Sequence, residues 1–258
     1  MSGLALALVL LAAVTHASWN LLARRADEKL PFLWCTVAVA AVLFLPLGLW
    51  LVLTQPVEPT GWAVVAVSAA LEALYYWTLS QAYRYGDLSV VYPIARGSAP
   101  ILVPLLAAAF LGERLSALAA GGIGLVVVGM LAMHLTSFDW SDRRGLARLG
   151  GERGTRYALL TGLVIATYST LDKRGVALVP PLLYGYLLFV GLTVMLLPLL
   201  RGRWGLVAKE WRLHRTSILV VGLLTPLSYG LVLLALTLAP VSYVSAAPAS
   251  GPAGPGRS

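Results

Sequence analysis

Charged residues are scarce in this chain of 258 amino acids: they make up 12% of it, and only 11 residues are acidic. About a quarter of the residues in a water-soluble domain are charged, because its surface must be hydrated. A soluble enzyme, a nucleic-acid-binding protein and a disordered protein therefore all fit this composition poorly. The net charge is +8, but the basic residues punctuate apolar runs instead of forming a stripe, so no nucleic-acid partner is predicted.

Cysteine and the short motifs of enzymes are also missing. Cys35 is the only cysteine, which excludes an intramolecular disulfide and a metal site built from thiolates. The sequence contains no His-Glu-x-x-His, no Gly-x-Ser-x-Gly and no pair of aspartates inside an apolar run. We therefore predict that the chain is not an enzyme, and we expect neither a cofactor nor a metal.

Long apolar runs dominate what is present. Hydrophobic residues make up 59% of the sequence, and a helix needs roughly 20 of them in succession to cross a bilayer. Eight runs meet this need and are predicted to be membrane spans, at about 3–23, 31–53, 61–82, 88–111, 115–136, 156–177, 180–200 and 216–238. A ninth begins at Val241 and soon stops. The predicted fold class is an all-α polytopic membrane protein with eight full spans and the start of a ninth.

The loops between these runs alternate in charge. Those after odd-numbered spans carry fourteen lysines and arginines, whereas those after even-numbered spans carry only Arg114, Lys173 and Arg174. Because basic loops stay in the cytoplasm, the N-terminus is predicted to lie outside, in a bacterial-type cytoplasmic membrane. The basic and aromatic segment 201–215 is predicted to lie at the cytoplasmic interface, where it would contact lipid.

An internal repeat divides the sequence. Three stretches recur about 150 residues further on: 16–25 at 165–174, 31–34 at 181–184, and 82–91 at 235–244. Five spans per repeat is an odd number, so the second repeat inserts upside down, as in secondary transporters. The predicted organisation is a first repeat at 1–136, a basic cytoplasmic linker at 137–155, a second repeat at 156–245 and a disordered tail at 246–258.

The second repeat stops early in this sequence. A full second repeat would run to about residue 289. The sequence after Ser245 is instead rich in proline, glycine and alanine and has too few large apolar residues for a span. We expect a truncation within the ninth span; a natural nine-span variant with a disordered tail is the alternative.

The sequence resembles the EamA family of the drug/metabolite transporter superfamily, which has ten helices in two inverted five-helix repeats. The resemblance rests on Pro100-Ile-Leu-Val-Pro104 followed by Gly112-Glu-Arg-Leu115 and a glycine-rich helix, and on Trp19-Asn20 in the first helix. Two features depart from the family: the N-terminus is predicted outside, and the second repeat has no counterpart of Gly112-Glu-Arg. Glu113 is expected to brace the turn between the fourth and fifth helices.

What the resemblance implies is secondary transport of small metabolites, amino acids or drugs, often as export by alternating access. Pore-lining residues would come mainly from the first, third and fourth helices of each repeat. The expected partners are a small-molecule solute, membrane lipid and a proton, and a homodimer is compatible with the sequence. The alternative is a truncated remnant or scaffold membrane protein that transports nothing. The substrate, its direction and the coupling ion are not specified by the sequence.

Two ionisable residues lie in the middle of predicted spans. Glu72 lies roughly 16 Å and Arg96 roughly 13 Å from the cytoplasmic end of helices three and four, close to the centre of a ~30 Å core. Such residues usually pair or serve a transport pathway. Glu72 could bind and release a proton while Arg96 holds a carboxylate or phosphate of the solute; alternatively, the two form a static ion pair.

Aromatic and polar residues share helix faces with these charges. Tyr75 and Tyr76 follow Glu72 by three and four residues, and Tyr92 precedes Arg96 by four, so their rings lie on the charged faces. They would line a cavity for an amphipathic solute or serve ordinary helix packing.

The first helix carries a further polar face. His16, Trp19 and Asn20 lie on it by the same spacing and could contact the solute or hydrogen-bond to other helices. Tyr168, in the second repeat, is a weaker candidate. Asp172 and Lys173 lie near a predicted span end and are expected to be solvated or paired.

Overall fold

A computed structural model describes residues 2–23, 26–86, 88–114, 117, 120–125, 128–129 and 153–245. These residues form helices and turns, without a β-strand among them. The helices before the gap are α1 (Gly3–Ala23), α2 (Lys29–Leu43), α3 (Leu45–Thr54), α4 (Pro59–Tyr85) and α5 (Leu88–Leu111). After it come α6 (Arg153–Leu178), α7 (Pro181–Met195), a 3₁₀ helix (Leu197–Leu200), α8 (Trp204–Leu238) and α9 (Val241–Val244).

Several of these helices are long and apolar enough to cross a membrane. Within the described residues there are five such helices, or six if the bent pair α2–α3 counts as one span. They also expose large apolar side chains, such as Leu4, Leu10 and Val14 on α1, which is the arrangement expected where a helix faces lipid. The predicted class, an all-α polytopic membrane protein, is confirmed.

The helices follow most of the predicted spans. The predicted span 31–53 is divided into α2 and α3, which are bent by 57°. The break falls at Phe44, and Pro46 lies in the first turn of α3, where proline is well tolerated because that N–H has no intrahelical partner. The predicted span 156–177 forms α6, which carries more charge than the five apolar helices. Most of the predicted span 115–136 lies outside the described residues.

Helix α8 is too long for a single span. Its 35 residues correspond to about 52 Å, against ~30 Å for a bilayer core. The backbone leaves helical geometry at His214, with φ −123° and ψ 21°, so a short first part, Trp204 to Leu213, is set off from the apolar remainder. This break lies at the boundary between the predicted interfacial segment and the predicted span 216–238. The interfacial position itself stays a prediction.

Contacts divide the chain into two compact units. Unit 1 contains Met1–Ala73 and Leu171–Pro240, and unit 2 contains Leu74–Thr170 and Val241–Ser258. In unit 1, α1 and α2 both pack on α8, and α7 packs on α2, α3 and α8. In unit 2, α9 packs on α5. The units are defined by contacts, whereas the predicted repeats are defined by sequence similarity, so the division into two repeats, linker and tail stays a prediction. Residues 137–152 and 246–258 lie outside the described residues.

Each unit has its own apolar core. One core of unit 1 gathers buried side chains from several helices: Ala26, Phe32, Cys35, Leu200, Val207, Ile218 and Val221. The core of unit 2 is made of smaller residues, namely Ala82, Val91, Ala95 and Ala158. Small side chains let helix backbones approach closely, which is how helices associate where lipid competes for apolar contact.

Candidate functional site

Two carboxylates of unit 1 are joined by a tyrosine. The hydroxyl of Tyr229, on α8, is 3.0 Å from Oε1 of Glu72 on α4 and 2.6 Å from Oδ2 of Asp172 on α6. The other oxygen of Asp172 accepts hydrogen bonds from Ser68 Oγ at 2.5 Å and from Tyr184 Oη at 2.7 Å. We call these five residues, Ser68, Glu72, Asp172, Tyr184 and Tyr229, the acidic cluster.

The acidic cluster depends on close helix packing. Gly175 lies one turn after Asp172 on α6, and a side chain there would collide with the ring of Tyr184. The glycine therefore allows the tyrosine to reach the carboxylate. The neighbouring Lys173 donates to the carbonyl oxygens of Leu236 and Ala239 at the end of α8, where a cation also complements the helix dipole.

The two contacts of Tyr229 are best satisfied when one of the two carboxyl groups carries a proton. A phenol hydroxyl has one hydrogen and can donate to only one acceptor, yet both carboxyl oxygens lie at hydrogen-bonding distance from it. A second hydrogen must therefore come from one of the two carboxyl groups. Asp172 already accepts two further hydrogen bonds, which favour its charged form, so the geometry favours a protonated Glu72 that donates to Tyr229, while Tyr229 donates to Asp172.

The two carboxyl groups of the acidic cluster differ in how deeply they are buried. Asp172 is 2% exposed, and Ser68 and Tyr184 are fully buried. Glu72 and Tyr229 are half-buried. Glu72 is therefore the less enclosed of the two carboxyl groups.

A cation surrounded by tyrosines lies in unit 2. The guanidinium of Arg96, on α5, donates to the hydroxyl of Tyr75 at 3.2 Å and lies 5.9 Å from the centre of its ring. The ring of Tyr75 contacts Tyr76 at 4.9 Å and Tyr168 at 6.2 Å between centroids. Tyr92 lies within electrostatic range of Arg96. We call these five residues, Tyr75, Tyr76, Tyr92, Arg96 and Tyr168, the arginine–tyrosine cluster.

The arginine retains unused donor capacity. Its Nε is buried without a hydrogen-bond partner among the described residues. No described carboxylate of unit 2 forms an ion pair with it. A buried guanidinium of this kind can receive an anionic group, because it presents several donors in a fixed plane.

The polar face predicted on α1 is present in part. The rings of His16 and Trp19 contact each other edge to face at 4.8 Å. The indole N–H of Trp19 is buried without a hydrogen-bond partner among the described residues, and the ring packs on the apolar core around Phe32. The side chain of Asn20 lies outside the described part of the chain.

The predicted site residues thus fall into groups. Arg96, Tyr75, Tyr76, Tyr92 and Tyr168 come together in unit 2. Glu72 belongs to unit 1, and its hydrogen bond goes to Tyr229. The roles that the sequence suggested for these residues stay predictions.

Sequence reasoning missed the four residues that share the acidic cluster with Glu72, including Ser68. Asp172 is expected from the sequence to be solvated or paired because it lies near a predicted span end. In the structure it is buried and accepts hydrogen bonds from three hydroxyl groups. Tyr184 and Tyr229 gave no signal of their own. A carboxylate within six residues of a span end was the available clue, since ionisable residues inside apolar helices are rare.

Glu113 braces a different element from the one expected. Its carboxylate accepts hydrogen bonds from the backbone N–H groups of Val241 at 2.8 Å and Ser242 at 3.2 Å, and from the Ser242 hydroxyl at 2.6 Å. It therefore caps the first turn of α9, whose N–H groups have no partners within the helix. Gly112, directly before it, has φ +67°, a backbone conformation that favours glycine.

Apolar helices that enclose buried charges and hydrogen-bonded tyrosines are typical of polytopic membrane proteins with a solute or ion pathway. Residues 3–135 match the family model described as the EamA-like transporter family, and the chain belongs to this family. The matched range lies within the predicted first repeat, 1–136, and the division into repeats stays a prediction. Comparison of the sequence with curated proteins gives no match.

Family membership sets the general function. EamA proteins are membrane transporters of small molecules, so the chain is a multi-pass membrane protein whose partners are a small-molecule solute and membrane lipid. The family consists of transporters and not of enzymes, in agreement with the prediction made from the missing motifs.

Proposed function

We propose that this chain is a proton-coupled secondary carrier that exports a small metabolite, amino acid or drug by alternating access. The observation that carries the proposal is the Tyr229 hydroxyl at hydrogen-bonding distance from both Glu72 and Asp172. This arrangement needs a proton between two carboxyl groups, and Glu72 is the group that takes it up and releases it. Ionisable side chains inside membrane helices commonly form such proton relays.

The proton on Glu72 is tied to the positions of three helices. Tyr229 comes from α8, Glu72 from α4 and Asp172 from α6, so loss of the proton leaves two charged carboxylates competing for one phenol hydrogen. Two like charges in a medium of low dielectric constant repel strongly. Deprotonation therefore favours movement of these helices, which is the change that alternating access requires.

The arginine–tyrosine cluster is the proposed site for the solute. Arg96 supplies a positive charge and an Nε–H without a hydrogen-bond partner among the described residues, suited to a carboxylate or phosphate. The rings of Tyr75, Tyr76 and Tyr168 supply aromatic surface, and their hydroxyls supply hydrogen bonds. This combination fits an amphipathic anion or zwitterion, such as an amino acid or an organic acid.

Orientation and direction belong to the same proposal. The fourteen basic residues in the loops after odd spans support an orientation with those loops in the cytoplasm of a bacterial-type inner membrane and the N-terminus outside. Export then follows if proton entry down an inwardly directed gradient is exchanged for solute, one proton entering through Glu72 for each solute that leaves.

The test is transport by the purified full chain in liposomes. A panel of amino acids, organic acids and amines is loaded inside, and efflux is measured with and without an inwardly directed proton gradient. We expect at least one anionic or zwitterionic solute to leave faster under the gradient. Glu72→Gln should abolish the gradient dependence, because an amide cannot exchange a proton in this range.

Glu58→Gln is the matched control, since Glu58 is an exposed loop residue and the same chemical change there should leave transport unaltered. Unchanged gradient dependence in a folded Glu72→Gln variant would remove Glu72 from the mechanism. Absence of flux for every solute of the panel, in the presence of correctly folded protein, would contradict the carrier assignment.

A further inference from the structure

A group of three potential ligand side chains lies where the loop after α1 meets the first part of α8, within unit 1. Glu210 and His214 are four residues apart on α8, a spacing that places them on one face of the helix, and Asp27 comes from the loop. Nε2 of His214 is 3.9 Å from Oε2 of Glu210 and 3.8 Å from Oδ1 of Asp27. The three ligand atoms all lie within 4.8 Å of one another.

Glu210 is a carboxylate that is completely enclosed by protein. Its side chain is fully buried. Oε1 accepts a hydrogen bond of 2.7 Å from the backbone N–H of Glu28, at the start of α2. Oε2 of Glu210 and Nε2 of His214 are buried and have no hydrogen-bond partner among the described residues. A separation of 3.9 Å is too long for a hydrogen bond, so each atom is left unsatisfied in a place where that is costly.

Two lysines lie near this group, and both interact electrostatically with Glu210. Lys209 Nζ lies 3.0 Å from Oδ2 of Asp27. The other oxygen of Asp27, Oδ1, lies on the side of His214. Lys29, the second lysine nearby, donates to the carbonyl oxygens of Ala23 and Ala26.

We propose that Asp27, Glu210 and His214 bind a divalent transition-metal ion of the Zn²⁺ type. A point equidistant from the three ligand atoms lies about 2.5 Å or less from each of them, and Zn²⁺ binds imidazole nitrogen and carboxylate oxygen at about 2.0–2.2 Å. A contraction of a few tenths of an ångström completes the site. Asp27, being half-exposed in a loop, is free to make that adjustment.

The mixed donor set selects the class of ion. One imidazole nitrogen with two carboxylate oxygens suits Zn²⁺ and its neighbours, whereas Mg²⁺ and Ca²⁺ prefer oxygen ligands alone. Three protein ligands leave a fourth position for water or another donor. The backbone leaves helical geometry at His214, so the metal would tie the α1–α2 loop to the break in α8.

Zinc binding to the purified full chain in detergent tests the proposal. Isothermal titration with Zn²⁺ alone should give one ion per chain, and the same titration with Mg²⁺ should give no heat of binding. Glu210→Gln and His214→Ala should each weaken zinc binding at least tenfold. Glu210→Gln retains an oxygen that can accept the N–H of Glu28, so the fold should persist and the loss can be assigned to the metal.

Matched controls are Glu58→Gln and His16→Ala, which make the same kinds of change elsewhere and should leave the zinc affinity unaltered. Zinc should also raise the thermal unfolding temperature of the wild type but not that of His214→Ala. Lack of zinc binding by the wild type, or an affinity that survives both Glu210→Gln and His214→Ala, would overturn the proposal. The assay measures binding without transport, so its outcome does not depend on the proposed carrier function.

Discussion

Replacement of Tyr229 by phenylalanine tests the link between the two carboxyl groups with the loss of a single oxygen. The change deletes the contacts of 3.0 Å to Glu72 and 2.6 Å to Asp172, while the ring remains to fill its space. A hydrogen bond to a charged group contributes about 1.5–3 kcal/mol, whereas hydrogen bonds between membrane helices average about 0.6 kcal/mol. We expect a loss of about 2 kcal/mol in the free energy of unfolding, because Asp172 is a charged acceptor.

Transport should fall more visibly than stability. A free-energy change of about 2 kcal/mol corresponds to a factor of about 30, so proton-driven flux by Tyr229→Phe should drop roughly 10- to 100-fold. The assays are unfolding in detergent and solute flux in liposomes under a proton gradient. Tyr186→Phe is the control, since Tyr186 lies on the same helix as Tyr184 but outside the acidic cluster. A stability loss near 0.6 kcal/mol with full proton coupling would refute the reasoning, because it would mean an ordinary neutral hydrogen bond.

Two further substitutions test structural claims. Glu113→Gln should lower the free energy of unfolding by about 1–2 kcal/mol, because a neutral amide caps the turn at Ser242 less strongly than a carboxylate. Thermal unfolding in detergent measures the effect, and an unchanged unfolding temperature would contradict the capping role. Gly175→Ala should reduce transport by displacing the ring of Tyr184, whereas Gly205→Ala, which meets open space, should not; equal flux in both variants would count against the packing argument.

Apolar runs made the helices predictable. The bounds of α1 and the positions of α4, α5 and α7 follow the predicted spans, since a bilayer requires long uninterrupted runs and the sequence shows them directly. The bend at Phe44 was not predicted, although Pro46 in the next turn was a visible signal. The helical start of α8 was read as an interfacial segment, because periodic apolar and basic residues do not indicate where one helix ends and another begins.

The candidate site was predictable only where one residue stood out by itself. Glu72 and Arg96 were identified because a charge in the middle of an apolar run is conspicuous. Tyr229 lies 157 residues from Glu72, and Asp172 was hidden by the adjacent basic residues at its span end. Contacts between helices distant in sequence depend on packing, which periodicity along one helix does not contain.

Glu113 illustrates the same limit. Its place in the turn after α5 suggested a local brace, and local spacing supports such a reading. In the structure, the Glu113 carboxylate accepts hydrogen bonds from backbone N–H groups at the start of α9, 128 residues away in the sequence. Only the three-dimensional arrangement of unit 2 brings them together.

Infrared difference spectroscopy of the reconstituted protein at neutral pH tests the central claim most directly. A protonated carboxylic acid has a carbonyl band that is separate from the bands of a carboxylate. The account predicts this band in the wild type, its loss in Glu72→Gln, and its persistence in Glu58→Gln. A wild-type spectrum without the band, or a band that survives Glu72→Gln, would contradict the assignment of Glu72 as the proton-binding residue.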